Sequence, residues 1–183
     1  MTTLAATDQG SCSPASYSAL ETLRGGRRVE IRALRPSDRD ELKTAVARIS
    51  AASLYRRFFG PKRHFTEKEV AYFVNVDFVT QVALVAVAGE RDQPTIVGGG
   101  RYIVVRPGVA ELAFAIVDPY QGFGLGAALL RHLVAIARRA GLRELVASVL
   151  PDNRAMLKVF EKSAYRIATR RDGGTVHVTL EVP

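Results

Sequence analysis

The stretch DPYQGFGLGAALL, Asp118 to Leu130, decides how the rest of the chain is read. It sets glycines at 122, 124 and 126, every second position, and then runs at once into leucines and alanines of helical character. Glycine adopts positive φ without steric cost and leaves its backbone N–H bare. Successive N–H groups in such a loop form an anion nest. The unpaired first-turn N–H groups of the helix that follows, with its positive dipole end, point at the same spot. A phosphate or diphosphate suits that set of donors. The plainer alternative is a tight strand-to-helix connection with no ligand, but turning alone does not call for three regularly spaced glycines.

Upstream, QVALVAVAGERDQPTIVGGGRYIVVRPGVAELAFAIV, residues 81–117, reads as three strands joined by turns at GERDQP and RPG, an antiparallel meander. Gly98, Gly99 and Gly100 within it predict a bulge or a close backbone approach. Downstream, a helix to about Ala140 sets Leu125, Leu129, Leu133, Ile136 and Ala140 on one face, with Arg131, His132, Arg138 and Arg139 opposite. ELVASVL reads as a buried strand, PDNRAMLKVFEKS as a helix with Pro151 near its start, and YRIATRR with TVHVTLEV as a hairpin around Asp172, Gly173 and Gly174. Ahead of the meander, VEIRA alternates as a strand and Leu42, Val46 and Ile49 mark a helix after Pro36 and Ser37. ASLYRRFFG continues as a second helix ending at Gly60 and Pro61, and FTEKEVAYFVNV opens on a capping box, Thr66 to Glu69. The order implies an α+β fold, a mixed and mostly antiparallel central sheet flanked by helices, not a doubly wound sheet.

The 183 residues suit one domain of ordinary size. Residues 1–26 are small and polar, close with RGGRR and lack periodicity, so they read as a disordered tail ahead of a domain over 27–183. No window approaches the roughly 18 uninterrupted apolar residues of a membrane span, and the N-terminus has neither the basic start nor the apolar stretch of a signal peptide. A cytoplasmic protein without a membrane partner is expected. The single cysteine, Cys12, excludes an intramolecular disulfide and a Cys-based metal site. The net charge of +8 comes far more from arginine than from lysine and draws polyanions such as nucleic acids, acidic protein faces or nucleotide cofactors. No nucleic-acid motif or aromatic-interleaved basic stripe accompanies it, so nucleic acid is not expected as a partner.

Gly122, Gly124 and Ala127 also satisfy the degenerate dinucleotide fingerprint. That fold needs its first glycine directly after a buried parallel strand and an acidic residue at the end of the next strand, about 20 residues on. Here DPYQ intervenes, the preceding strand belongs to a meander, and Glu144 stands before its strand. Strand ELAFAIV, a short loop, Gln121, two residues, Gly124, one residue, Gly126 and a helix instead resemble the acetyl-CoA loop of the GNAT superfamily of acyltransferases. IRALRPSD, SLYRRFFGP, VALVAVA and VLPDNRAMLKVFEKSAY extend the resemblance to the acetyltransferase domain of bacterial Pat-type protein lysine acetyltransferases, over roughly Val29 to Ile167.

The resemblance implies that Ile116 and Val117 pair with the pantetheine amides of acetyl-CoA like an added strand. It assigns the diphosphate to the N–H groups of Gly122, Phe123, Gly124, Leu125, Gly126 and Ala127, after the Gln121 that opens the motif. It gives Asn153 a part in positioning the cofactor arm, a residue that on its own terms serves equally as a helix cap. Acyl transfer to an amine needs a base for the ammonium proton. In VAELAFAIV the bulky Leu112, Phe114 and Ile116 share one face and leave Glu111 with Ala113 and Ala115 on the other, a roomy side. Glu111 is therefore the candidate general base, and it matches the glutamate that Pat-type enzymes carry there; a solvated strand glutamate is the alternative. Asp77 in VNVDF reads as a turn residue.

The free N–H groups of the strand near Val117 are the expected oxyanion donors. Phe160 stands where many GNAT enzymes place a tyrosine acid, which leaves the proton donor for the departing thiolate unassigned. His64, His132 and His177 read as surface residues and make no metal site. The expected activity is acetyl-CoA-dependent N-acetyltransfer to a protein lysine, with acetyl-CoA synthetase as an example of an acceptor. A small-molecule amine, or a non-catalytic acyl-CoA-binding regulatory module, is the alternative. Either a monomer or a homodimer fits, and the chain length leaves no room for the regulatory domain that Pat-type enzymes often carry.

Overall fold

The structure, a computed structural model, describes residues 13–62, 64–89 and 94–183. Among them the alternating segments form one sheet with strand order β1-β2-β3-β4-β5-β6-β8-β7. The strands are β1 (Ser18–Thr22), β2 (Arg28–Ala33), β3 (Gln81–Ala88), β4 (Thr95–Arg106), β5 (Val109–Ile116), β6 (Glu144–Val149), β7 (Ile167–Asp172) and β8 (Thr175–Glu181). Helices α1 (Arg39–Ala47), α2 (Ala51–Phe58) and α3 (Glu67–Val74) precede the meander, α4 (Leu125–Arg139) follows the glycine loop, and α5 (Arg154–Glu161) follows β6. The fold is the mixed, mostly antiparallel one that the order of elements implies, with β5–β6 as the parallel pairing. Residues 90–93, most of the GERDQP turn, lie outside the described residues, as do Cys12 and the first half of the expected tail.

The second half of that tail is ordered. Gly25 and Gly26 both have positive φ, 75° and 76°, and turn β1 back onto β2, with Ser18 opposite Arg32 and Thr22 opposite Arg28. An edge strand gains its stability from backbone pairing on one side and needs no apolar stripe, which is why composition alone reads as a tail. Two apolar anchors hold it: Leu23 is buried and Tyr17 packs on the same core.

The helices cover both faces of the sheet. On one face α4 buries Leu125, Leu129, Leu133 and Ile136 as expected, and also Ala128, Leu130, Val134 and Ala137, a broader stripe that leaves Ala140 exposed. On the other face α1 closes a smaller core of Leu34, Ala45, Ala83, Val85, Val87 and Ile96. The three meander glycines fit both readings made of them. Ala86 pairs with Gly98 and Val87 with Ile96, which leaves Val97 bulged. A Cβ on Gly99 would lie 2.9 Å from the Leu84 carbonyl, and one on Gly100 2.8 Å from the Phe114 ring. The Thr66–Glu69 capping box starts α3 as predicted. α2 ends differently: Phe59, not Gly60, takes the left-handed conformation that stops it, with φ 57°. Pro151 and Asp152 form a turn before α5, and Asn153 caps it.

An ion pair ties β2 to the start of α1. Arg32 donates from both terminal nitrogens to Asp38, at 2.8 and 2.7 Å, and the Arg35 N–H adds a third bond at 2.7 Å. Both side chains are about nine-tenths buried. Burial pushes the Asp38 carboxyl up, but the bonds from Arg32 and Arg35 outweigh it and hold the group below its ordinary value. A carboxyl depressed in the folded state stabilises the fold above the unfolded pKa, near 3.9, and that contribution disappears as the pH falls through the folded value. Asp38→Asn should therefore lose about 3–5 kcal/mol at neutral pH, because Arg32 is left buried without its partner. Urea midpoints of the two proteins should converge as the pH drops below about 4.

Candidate active site

The site starts from a pairing that stops early. β5 and β6 run parallel at Val109–Glu144, Ala110–Leu145 and Glu111–Val146 and then part, while β5 stays paired with β4 and β6 with β8. Beyond Glu111 one edge of β5 is free, and a cleft of about 1200 Å³ opens between the two strands. Phe114 and Phe160 meet edge to face, 6.5 Å apart, at its base.

The glycine loop closes one end of this cleft. Gly122 and Gly124 are left-handed, with φ 80° and 94°. Gly126 has a different reason: inside α4, a Cβ there would stand 3.3 Å from Val159 and 3.5 Å from Ile116. Gly124 is the N-cap of α4, with no side-chain cap and no acidic residue in the first turn. The first-turn donors of α4 are thus left to whatever enters the cleft. Gln121 reaches across the loop to the Ile116 carbonyl, the Asp118 carboxylate and the Ser53 hydroxyl, each at 3.1 Å. This pins the loop to the end of β5 and to α2.

The structure brings most of the expected residues to the cleft: Glu111, Ile116, Gln121, Gly122, Gly124, Leu125, Gly126, Ala127 and Asn153 all line it. Val117 differs. Its N–H donates to the Val97 carbonyl at 3.0 Å, its carbonyl accepts from Tyr120 at 2.8 Å, and it is fully buried. The Asp118–Tyr120 turn folds back over it, so Val117 has no backbone group to offer a ligand or an oxyanion. Strand alternation instead turns the N–H groups of Phe114 and Ile116 toward the open edge. The Phe123 ring is also directed elsewhere, beneath the Arg27 guanidinium at 3.8 Å. Asn153 accepts from the Met156 N–H at 3.2 Å, the capping role, while lining the cleft.

Glu111 stands exposed where the parallel ladder ends. Phe160 is a core residue, 2 % exposed. Asp77 is the turn residue it was read to be: it accepts from the N–H groups of Val79, Thr80 and Gln81, and the Thr80 hydroxyl with these amides holds its carboxyl down at about 2. His132 is not on a solvated face. It is half-buried between the Tyr17 hydroxyl and Glu21, whose carboxylate lies 2.9 Å from Nε2. Burial pushes its pKa down, against the pull of Glu21. Among the described residues no group of three or more His, Cys, Asp or Glu stands ready for a metal ion, and no helix is long and apolar enough to cross a membrane.

Sequence reasoning missed the brace between the β1–β2 turn and the loop. The Arg24 N–H donates to the Phe123 carbonyl at 3.0 Å, its guanidinium donates to the Gly122 carbonyl at 2.6 Å, and Arg27 donates to the Pro119 carbonyl at 2.7 Å. These bonds hold three loop carbonyls from the β1–β2 turn, and Arg24 itself lines the cleft. RGGRR was the only local signal, and it reads equally as a polar tail. Ser163 was missed as well: its buried hydroxyl has no hydrogen-bond partner among the described residues, and the residue lines the cleft.

A parted parallel pair, a glycine loop that opens a helix and a carboxylate at the fork define an acyltransferase that takes a nucleotide-bearing acyl donor. Residues 50–165 match the Acetyltransferase (GNAT) family, and the chain belongs to that family, whose acyl donor is acetyl-CoA. An acetyltransferase of Pseudomonas aeruginosa is 36% identical over 138 residues, 75% of this chain and 74% of that protein. Acetyltransferase Pat of Mycolicibacterium smegmatis is 30% identical over 165 residues, 88% of this chain, and the match spans 48% of that protein, about half its length. The GNAT domain of S. lividans PAT superposes with a TM-score of 0.83 at 32% identity, covering 90% of this chain and 96% of that one.

Replacing either brace residue should loosen the loop without unfolding the domain. Amide hydrogen exchange across residues 120–124 is expected to quicken in Arg24→Ala and Arg27→Ala, while the exchange of β3 and α4 stays at the wild-type rate.

Proposed function

We propose that this chain moves the acetyl group of acetyl-CoA to a protein lysine side chain, with Glu111 as the general base. The observation that carries the reading is the free edge of β5, which begins at Glu111 and leads straight into the glycine loop. The Phe114 backbone groups and the Ile116 N–H offer that edge to the pantetheine amides, in the manner of strand addition. The first-turn donors of α4 and the N–H groups of the loop from Gly122 to Ala127 take the diphosphate. Glu111, directly or through a water, removes the proton of the incoming ammonium; the nitrogen then bonds to the acyl carbon as the carbon–sulfur bond breaks and coenzyme A leaves as a thiol or thiolate. The lysine acceptor is supported by the likeness to Acetyltransferase Pat and to the S. lividans PAT domain.

The test is thiol release from acetyl-CoA with protein and small-amine acceptors, with mass spectrometry on the modified lysine. Glu111→Gln should lower kcat by about 10²–10⁴ and leave the KM for acetyl-CoA nearly unchanged. The defect should shrink as the pH approaches the lysine pKa near 10.4, where the amine no longer needs a base. Binding of acetyl-CoA with no turnover on any acceptor would point instead to a regulatory module that holds acyl-CoA. Gly124→Ala places a side chain in the left-handed region at a strain of about 1–2 kcal/mol, so its KM for acetyl-CoA should rise by about tenfold.

A further inference from the structure

Beside the cleft lies a second, smaller chamber of about 110 Å³. It shares Leu54, Arg57, Phe58 and the segment Ala113–Ala115 with the cleft, so the two spaces adjoin. The sheet makes room for it by having almost no side chains there. Glu111, Ala113 and Ala115 alternate onto one face of β5. The register sets Arg101 opposite Ala113 and Gly99 opposite Ala115.

Two arginines line this hollow. Arg101 is only 7 % exposed. One of its terminal nitrogens donates to Gln81 at 3.1 Å, and its head lies 5.1 Å from the Phe73 ring and 5.7 Å from that of Tyr72. Its Nε is buried with no hydrogen-bond partner among the described residues. Arg57, in the last turn of α2, lies over Phe58. Among the described residues neither guanidinium forms a salt bridge. Burial pushes Arg57 down to about 10, the charge of Arg101 adds to the shift, and Glu111 opposes it; burial pushes Arg101 down as well. Two desolvated like charges and an orphaned donor are costly to keep and strongly attract an anion. The other walls of the chamber are apolar, which strengthens any charge-assisted bond formed inside. A planar carboxylate matches the guanidinium fork and the small volume.

We propose that this chamber is an acceptor subsite for a carboxylate, so that the amine presented to Glu111 belongs to a molecule that also carries a carboxylate about 7 Å away, the spacing of alternate residues along β5. The placing of the amine rests on the role given to Glu111 above. The carboxylate itself comes from one of two sources, a free amino acid or an acidic side chain next to a protein lysine.

A binding arm and a turnover arm test this on the full chain. In the first, melting is followed with glutarate and with uncharged glutaramide at fixed ionic strength. Glutarate should raise the Tm of the wild type but not of Arg101→Met or Arg57→Met, and glutaramide should raise none. No glutarate effect in the wild type, or the same effect in all three proteins, overturns the proposal. In the second arm, 4-aminobutyrate is compared with propylamine, and a lysine peptide flanked by Glu with one flanked by Gln, under saturating acetyl-CoA.

The wild type should favour the carboxylate-bearing member of at least one pair by about tenfold in kcat/KM. Arg101→Met should erase that preference and leave the KM for acetyl-CoA unchanged. A preference confined to the first pair identifies a free amino acid, one confined to the second an acidic flank, and equal rates within both pairs overturn the proposal. If Arg101→Met does not fold, the half-buried Arg57→Met carries the comparison. Glutarate binding without turnover of any amine would keep the carboxylate site and remove the reaction assigned to Glu111.

Discussion

The structure depends on a ladder that is cut short. Parallel strands normally stay paired for their common length, since an unpaired strand edge leaves backbone donors and acceptors unmet. β5 and β6 hold together for only three residue pairs and then follow different partners, β4 on one side and β8 on the other. The sheet survives the break because both strands keep an antiparallel neighbour and because Phe114 and Phe160, with α4 beneath, fill the base of the fork. The site is thus made of backbone that the fold leaves unpaired. It is positioned by two stable half-sheets instead of by a flexible loop.

What surrounds the fork serves to keep it open and addressed. Small residues do much of this. Gly126 lets α5 come close to α4, and Gly99, Ala113 and Ala115 hollow the opposite face. Gln121 ties the loop to the end of β5, and Arg24 and Arg27 tie it to the β1–β2 turn. A loop tied at both places presents its N–H groups with little reorganisation when an anion arrives, and low reorganisation is what makes such donors effective.

Much of this could be read from local pattern. The meander followed from alternation, the glycine loop from spacing together with Gln121, and the start of α3 from Thr66 and Glu69. What escaped was set by distant contacts. Arg24 and Arg27 meet carbonyls 98 and 92 residues away, which no window can reveal. β1 is an edge strand held by backbone pairing, and its Leu20 is 76 % exposed, so it has no apolar periodicity to read. Val117 was legible as the end of a strand, but not as a residue whose two backbone groups are already taken by Val97 and Tyr120. His132 lies on the helix face that carries charge, and only the return of the N-terminal strand covers it. An arginine in GGGRYIVV gives no sign that it turns inward until register places it opposite Ala113.

The brace has one further consequence. Arg24 and Arg27 belong to the turn between β1 and β2, so the outer hairpin of the sheet and the cofactor loop are thermodynamically linked. A ligand that binds only the braced loop stabilises the hairpin against fraying by the same free energy with which the docked hairpin favours that ligand. Reciprocity then makes the outer edge of the sheet, a full four strands from β5, a place from which affinity at the cleft is adjusted. Whatever grips β1 and draws its turn away from Phe123 lowers that affinity, and whatever presses the turn home raises it.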